Sequence, residues 1–274
     1  MNAIKTVFLL GLLSSILVFG GRAAAGERGM WLGLVIAIGM NFFSYFFSEK
    51  IALASSGAQA VTPESYPQIY RRLAPMTERL AQRMGIPPPK LWVTPEPQPN
   101  AFATGRNPNH ASVAVTAGLL DLMNDQEVEG VVAHELGHVL HRDILISSVA
   151  ATIGTAITFM AQMAYFFGGR RDDDDRGSAW AGPLMFLASL LIAPMIQMAI
   201  SRTREFSADA AAAKYTGSPN GLISALRRLD AYGKQIPMDV SPAQSHMYIM
   251  NPIRGLFSTH PSTEDRIARL RQLS

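Results

Sequence analysis

The 274-residue sequence contains no cysteine, which excludes disulfides, iron–sulfur clusters and thiolate metal sites. A metal in this chain must rest on His, Asp or Glu. Charge is also scarce: Asp, Glu, Lys and Arg make up 16% of the chain, against roughly 25% in soluble domains. The net charge of +3 is mild, and no Lys/Arg cluster is interleaved with aromatics, which excludes nucleic acid as a partner. There is no internal repeat and no long low-complexity segment. Apolar sequence is abundant, at 48% of residues, and it is concentrated in a few segments. That distribution points to a membrane protein.

Four runs lack charge: 6–21, 29–48, 144–168 and 177–201. A membrane helix needs about 20 apolar residues, with a range of about 17–25, and the last three runs meet this. The first is shorter. With Lys5 before it and Ala23-Ala24-Ala25 after it, it also fits a cleavable signal peptide. A second long run follows at once, which favours an uncleaved two-helix hairpin. RRDDDDRG at 170–177 is too charged to cross a membrane and lacks EF-hand spacing, so it reads as a solvated loop between the last two spans.

Four crossings divide the chain into an N-terminal hairpin (1–49), a first polar region (50–143), a second hairpin (144–201) and a second polar region (202–274). An even number of crossings leaves both polar regions on one face, where they can build one site. Lys and Arg near the span ends balance between the two faces, so charge sets no orientation.

In the first polar region, Thr62 followed by Pro63 reads as a helix start. Ile69, Leu73, Met76, Leu80 and Met84 then mark one apolar helical face, with a kink expected at Pro75 and a stop at Gly85. Strands are expected at 91–93, 101–104 and 111–116, a three-stranded sheet. Asn124 or Asp125 caps the next helix, which is open to running on into the third apolar run. Helices are also expected at 205–214, at 222–232 and from Ser262 onward.

The helix after Asn124 contains VVAHELGHVLHRD at 131–143. His134 and His138 are four apart, so their imidazoles share one helical face. Two neutral imidazoles so placed can bind Zn²⁺ beside Glu135, the arrangement in which that carboxylate acts as general base toward water. A catalytic zinc site uses three protein ligands and an open position. The residues three and six beyond His138 are His141 and Ile144, which is not the metzincin pattern. His141 reads as an interface residue. The better third ligand lies in SRTREFSADAAAAKYTG at 201–217, where Glu205 and Asp209 share a helical face. Glu205 would complete a His₂Glu set, and Asp209 would accept the second ring N–H of a ligating His. The alternative for Glu205 is a helix-start acid favoured by the dipole. The even span count and the tandem of motifs favour the ligand.

NAFATG at 100–105, SVAVTAGLL at 112–120, HELGH, EFSAD and STHPSTEDRI at 258–267 occur in that order. Together they are similar to the HtpX-type zinc endopeptidases of the M48 peptidase family, relatives of the CAAX prenyl proteases, over nearly the whole chain. The resemblance implies one zinc held by His134, His138 and Glu205, Glu135 as catalytic base and Asp209 behind a ligand. It also implies a multi-pass protein of a bacterial inner membrane with its site facing the cytoplasm. Its implied partners are damaged or unfolded membrane-protein substrates and the lipid bilayer; no oligomeric state is set. His260 and Arg266 match a His-Pro and downstream Arg near the site in relatives, suiting them to a role at the oxyanion or substrate backbone. A turn residue before Pro261 is the alternative for His260. Asn100 is a residue of the cleft entrance or of the turn after Pro99. Val113 and Val115 lie on a strand that is either an edge pairing with extended substrate or one strand of a supporting sheet. The loop at 170–177, short and acidic, departs from relatives.

The expected architecture is thus a mainly α membrane protein: about four transmembrane helices plus a zincin-like α+β catalytic domain with a small three-stranded sheet. The leading activity is proteolytic quality control. Maturation of prenylated or otherwise specific peptides and a non-catalytic membrane scaffold are the rivals, and an intact Glu135 argues against the scaffold. Six residues separate His138 from Ile144, about 9 Å along a helix, which would put the metal close to the membrane surface.

Overall fold

The computed structural model describes residues 2–143, 203–235 and 261–273. The third and fourth apolar runs, the 170–177 loop and His260 lie outside the described residues. The rest is mainly helical with a small mixed sheet, and it forms two units: residues 3–44, and the described residues from 45 onward.

Helix α1 (Asn2–Ser55) makes up the described part of the first unit, continues into the second, and contains both N-terminal apolar runs. Residues 27 apart in an unbroken helix would be roughly 40 Å apart. Asn41 Nδ2 nonetheless donates to Ser14 Oγ at 2.9 Å, so α1 doubles back on itself. The reversal falls at Gly26, whose φ of 64° favours a residue without Cβ. An interhelical hydrogen bond of this kind is worth about 1 kcal/mol in lipid. Phe19, Trp31, Val35 and Phe42 face outward, each more than half exposed. Among the described residues, Gly26–Phe47 is the stretch long and apolar enough to cross a membrane.

The second unit is built around a mixed sheet in the order β1-β2-β4-β3. Strands β1 (Gln59–Ala60) and β2 (Lys90–Thr94) are antiparallel, β2 and β4 (His110–Thr116) parallel, and β3 (Ala101–Asn107) and β4 antiparallel. Four strands therefore replace the expected three, because a two-residue strand shows no periodicity. β3 and β4 form a hairpin that pairs Asn107 with His110. One face of the sheet packs Phe102 and Ala114 against Leu53 at the end of α1. There Ser112 Oγ donates to Glu49 Oε1 at 2.8 Å and accepts from Trp92 Nε1 at 3.0 Å. The opposite face turns Val113 and Val115 into the main core, as strand alternation requires.

Helix α2 (Pro67–Met84) buries Leu73, Met76, Leu80 and Met84, the face read from spacing, and ends on left-handed Gly85. It begins at Pro67 rather than Pro63: Thr62 Oγ1 accepts from the Ser65 N–H at 3.1 Å, closing a separate turn. Pro75 lies inside α2 without dividing it, on the solvent side where its missing N–H costs least. A short helix α3 (Ala117–Leu122) follows, capped by Thr116.

Helix α4 (Asp125–Leu140) is the central element, packed on α2, β3 and β4. Asn124 and Glu127 form a capping box at its start. Val128, Val131, Val132, Leu136 and Val139 are all buried, each contributing about 1.5–3 kcal/mol. It does not run on into the third apolar run. His141 caps it at Leu140, and Arg142 then takes a φ of 59°. Residues 203–216 form helix α5, followed by α6 (Asn220–Gln235) and α7 (Thr263–Arg271). Buried Glu127 ties α4 to α6, accepting from Ser224 Oγ at 2.6 Å and Arg228 Nε at 2.7 Å.

Candidate metal centre

Two helices supply the centre. α4 presents His134 and His138 one turn apart, and α5 brings Glu205 and Asp209 alongside. Gly137 allows this approach, since a Cβ there would lie 3.0 Å from Ala208 Cα. His134 Nε2 is 3.2 Å from His138 Nε2 and 3.5 Å from Glu205 Oε2, and His138 Nε2 is 3.5 Å from Glu205 Oε1. Ligands about 2.0–2.1 Å from a tetrahedral zinc lie about 3.3 Å from one another. The histidine pair already has that spacing, while Glu205 turns a different oxygen to each ring, and one ligand atom from each of the three side chains lies within 4.8 Å of the others.

The electrostatics favour a cation at this point. His134 Nδ1 is 2.9 Å from Asp209 Oδ1, which directs a proton to Nδ1 and leaves Nε2 as the ligand atom. Burial and the Arg266 charge would lower the His134 pKa, but hydrogen bonds to Asp209 and Glu205 prevail and raise it to about 9. Burial would raise the Asp209 pKa, yet Arg266 above all brings it down to about 2.

Arg266, on α7, is 1% exposed. Its Nε donates to Asp209 Oδ2 at 2.9 Å and its Nη2 to Asp209 Oδ1 at 2.6 Å, a bidentate pair, while Nη1 is 3.7 Å from Glu205 Oε2. The guanidinium thus sits behind the ligands. It faces Asp209, Glu205 and the His134 ring, whose Nδ1 is 3.3 Å from Arg266 Nη2, rather than an exposed face where substrate could reach it.

Glu135 projects from α4 toward β3, where its Oε2 accepts from the Ala103 N–H at 2.9 Å. Burial raises its pKa above the ordinary carboxylate range, against the opposing charges of His134 and His138. Asn100 is buried just before β3, its backbone bonded to Thr116 through both N–H and C=O. The edge-strand reading of 112–116 is corrected. β4 is paired on both sides, and Val113 and Val115 are 0% and 1% exposed, so neither can meet substrate. The outer strands are β1 and β3, and β3 is the one beside β4.

Asp143 and the Ala103 amide were not legible in the sequence. Asp143 Oδ2 lies 3.3 Å from His138 Nδ1. Five residues on a helix separate two side chains by about 140°, so no helical spacing marks the pair.

A helix carrying HExxH, joined by a glutamate from a second helix with a further carboxylate alongside, defines a two-histidine, one-glutamate metallopeptidase. Residues 67–274 match Peptidase family M48, and the chain belongs to that family. It is 50% identical to a protein named Protease HtpX homolog from Sulfurihydrogenibium sp. (strain YO3AOP1), over 100% of this chain and 96% of that one. A Protease HtpX homolog from Desulfatibacillum aliphaticivorans is 48% identical over 98% and 89% of the two chains. The crystal structure of S. mikatae Ste24p matches with a TM-score of 0.56 at 21% identity, covering 98% of this chain and 65% of that one. That last likeness is one of fold.

Proposed function

We propose that this metallopeptidase is a zinc endopeptidase embedded in a bacterial inner membrane, with its site facing the cytoplasm, cutting misfolded or damaged membrane proteins. The observation that carries it is the convergence of one ligand atom each from His134, His138 and Glu205 to within 4.8 Å of one another, beside Glu135. Zinc in that position would supply Lewis acidity, polarising the scissile carbonyl and lowering the pKa of water. Glu135 takes the proton of the attacking water and delivers it to the leaving amine nitrogen. The outward apolar surface of α1 and the apolar runs at 144–168 and 177–201 support the membrane setting. His260 and Asn100 are kept in this reading as residues of the cleft, with roles at the developing oxyanion and at its entrance.

Detergent-purified protein should cleave casein, lose that activity on chelation and regain it with zinc. Cleavage indifferent to the chelator would overturn the reading.

Substrate is best received along β3. Both backbone groups of a strand residue point to the same edge, and Asn100 O already faces β4, bonded to the Thr116 N–H. Ala103 therefore directs its N–H and C=O outward, the N–H toward Glu135 and the C=O to where an extended chain would pair. Proline is tolerated on an outer strand where the N–H faces away from the sheet, so Ala103→Pro should keep the fold. It removes one hydrogen bond to a charged group or to substrate, a loss of about 1.5–3 kcal/mol. A fall in kcat/KM of about 10- to 100-fold is expected, with the folded state kept and a melting temperature lowered only by the loss of the bond to Glu135. Unaltered kcat/KM would exclude β3 from substrate recognition.

A further inference from the structure

The turn that ends α4 is unusual in its backbone. Arg142 takes a φ of 59°, and it is the one non-glycine residue with positive φ among the described residues. L side chains rarely adopt this conformation. Here it breaks the helical path after Leu140. Asp143, which helical continuation would carry round to another face, instead brings Oδ2 to 3.3 Å from His138 Nδ1. Its side chain is 2% exposed, so the carboxylate is buried at the site rather than solvated. The same residue is tied to the other ligand helix: Arg204, next to Glu205 on α5, donates Nη1 to Asp143 O at 3.2 Å.

We infer that Asp143 is a positioning residue for the metal, holding His138 as Asp209 holds His134. An imidazole has two nitrogens, and a carboxylate on Nδ1 keeps the proton there, fixes the ring plane and raises the basicity of Nε2. His134 has this support from Asp209 at 2.9 Å, and Asp143 gives the more exposed His138 its counterpart. The left-handed Arg142 is the local means of placing that carboxylate. The bond from Arg204 to the Asp143 carbonyl links the His138 turn to the helix that carries Glu205. One residue thereby sets the orientation of one ligand and helps to register a second. This role rests on the His134–His138–Glu205 reading of the metal site.

The test is zinc affinity of the full chain in detergent, measured by chelator competition, with melting of the metal-free protein as a second readout. Asp143→Ala is expected to weaken zinc binding about 10- to 100-fold, with little change in metal-free melting. Asp143→Asn, which keeps an acceptor oxygen without the charge, should lose only several-fold. Arg142→Gly, which suits the positive φ and leaves the carboxylate in place, should bind zinc within about twofold of the parent. Parental affinity in Asp143→Ala overturns the inference. So does Asp143→Asn as weak as Asp143→Ala with an equal fall in metal-free melting, since the turn's packing alone would explain it. If Asp143→Ala does not fold, Asp143→Asn decides: weaker binding supports the role and parental binding removes it. A parent chain that holds no zinc would overturn the metal site itself, an outcome distinct from equal binding by parent and variant.

Discussion

Glu135→Gln should lower peptide-bond hydrolysis by about 10²- to 10⁴-fold, the usual contribution of a positioned general base, while zinc content stays at the parental level. Glutamine preserves the size of the side chain and keeps a carbonyl oxygen able to accept the Ala103 N–H, now at 2.9 Å from Oε2. What it loses is the capacity to take a proton from water. No neighbouring group replaces it among the described residues. His134, His138 and Glu205 have their donor atoms turned to one another, and Asp209 is engaged by Arg266. Burial, which raises the Glu135 pKa, also makes the carboxylate a better proton acceptor than an exposed one. Initial rates on casein, normalised to bound zinc, measure the effect. Full activity in the variant would remove Glu135 from the mechanism, and loss of zinc along with activity would make it a structural residue.

The ligands were readable because each obeys a helical period. His134 and His138 are four apart, and so are Glu205 and Asp209, so the sequence already places each pair on one face. The capping box at Asn124 and Glu127 and the buried face of α2 were legible for the same reason: they are local. The features that escaped depend on contacts distant in sequence or on a break in regular backbone. β1 has two residues and exists only because β2 offers it an edge. The position of β4 inside the sheet follows from a parallel pairing with β2, which nothing within 110–116 announces. A strand buried on both faces and an edge strand can share the same short apolar pattern. Asp143 reaches His138 only through the positive φ of Arg142, a conformation that residue type does not suggest. Arg266 was placed near the site correctly, yet its side of the site depends on how α7 packs, and the motif gives no direction.

That placement gives Arg266 the largest expected effect on stability. Its guanidinium and the Asp209 carboxylate form a bidentate pair in which both side chains are at least 97% buried. Breaking a buried pair by removing one partner typically costs about 3–5 kcal/mol, because the remaining charge has neither water nor counter-ion. Arg266→Met keeps most of the apolar volume but leaves Asp209 facing only His134. It should therefore lower the melting temperature sharply and weaken zinc binding, as Asp209 ceases to hold the ring at 2.9 Å in a fixed tautomer. Arg266→Lys should fall between, since an ammonium supplies charge but not two parallel bonds. The decisive comparison is Arg266→Met combined with Asp209→Asn. If the cost of the single change comes from a stranded carboxylate, neutralising that carboxylate should recover part of the stability. Zinc affinity should not recover with it, because an amide does not restore the charge behind His134. A double variant whose stability loss is the simple sum of its parts would show that Arg266 serves α7 packing alone; separate recovery of stability without recovery of zinc places it in the support of the metal site.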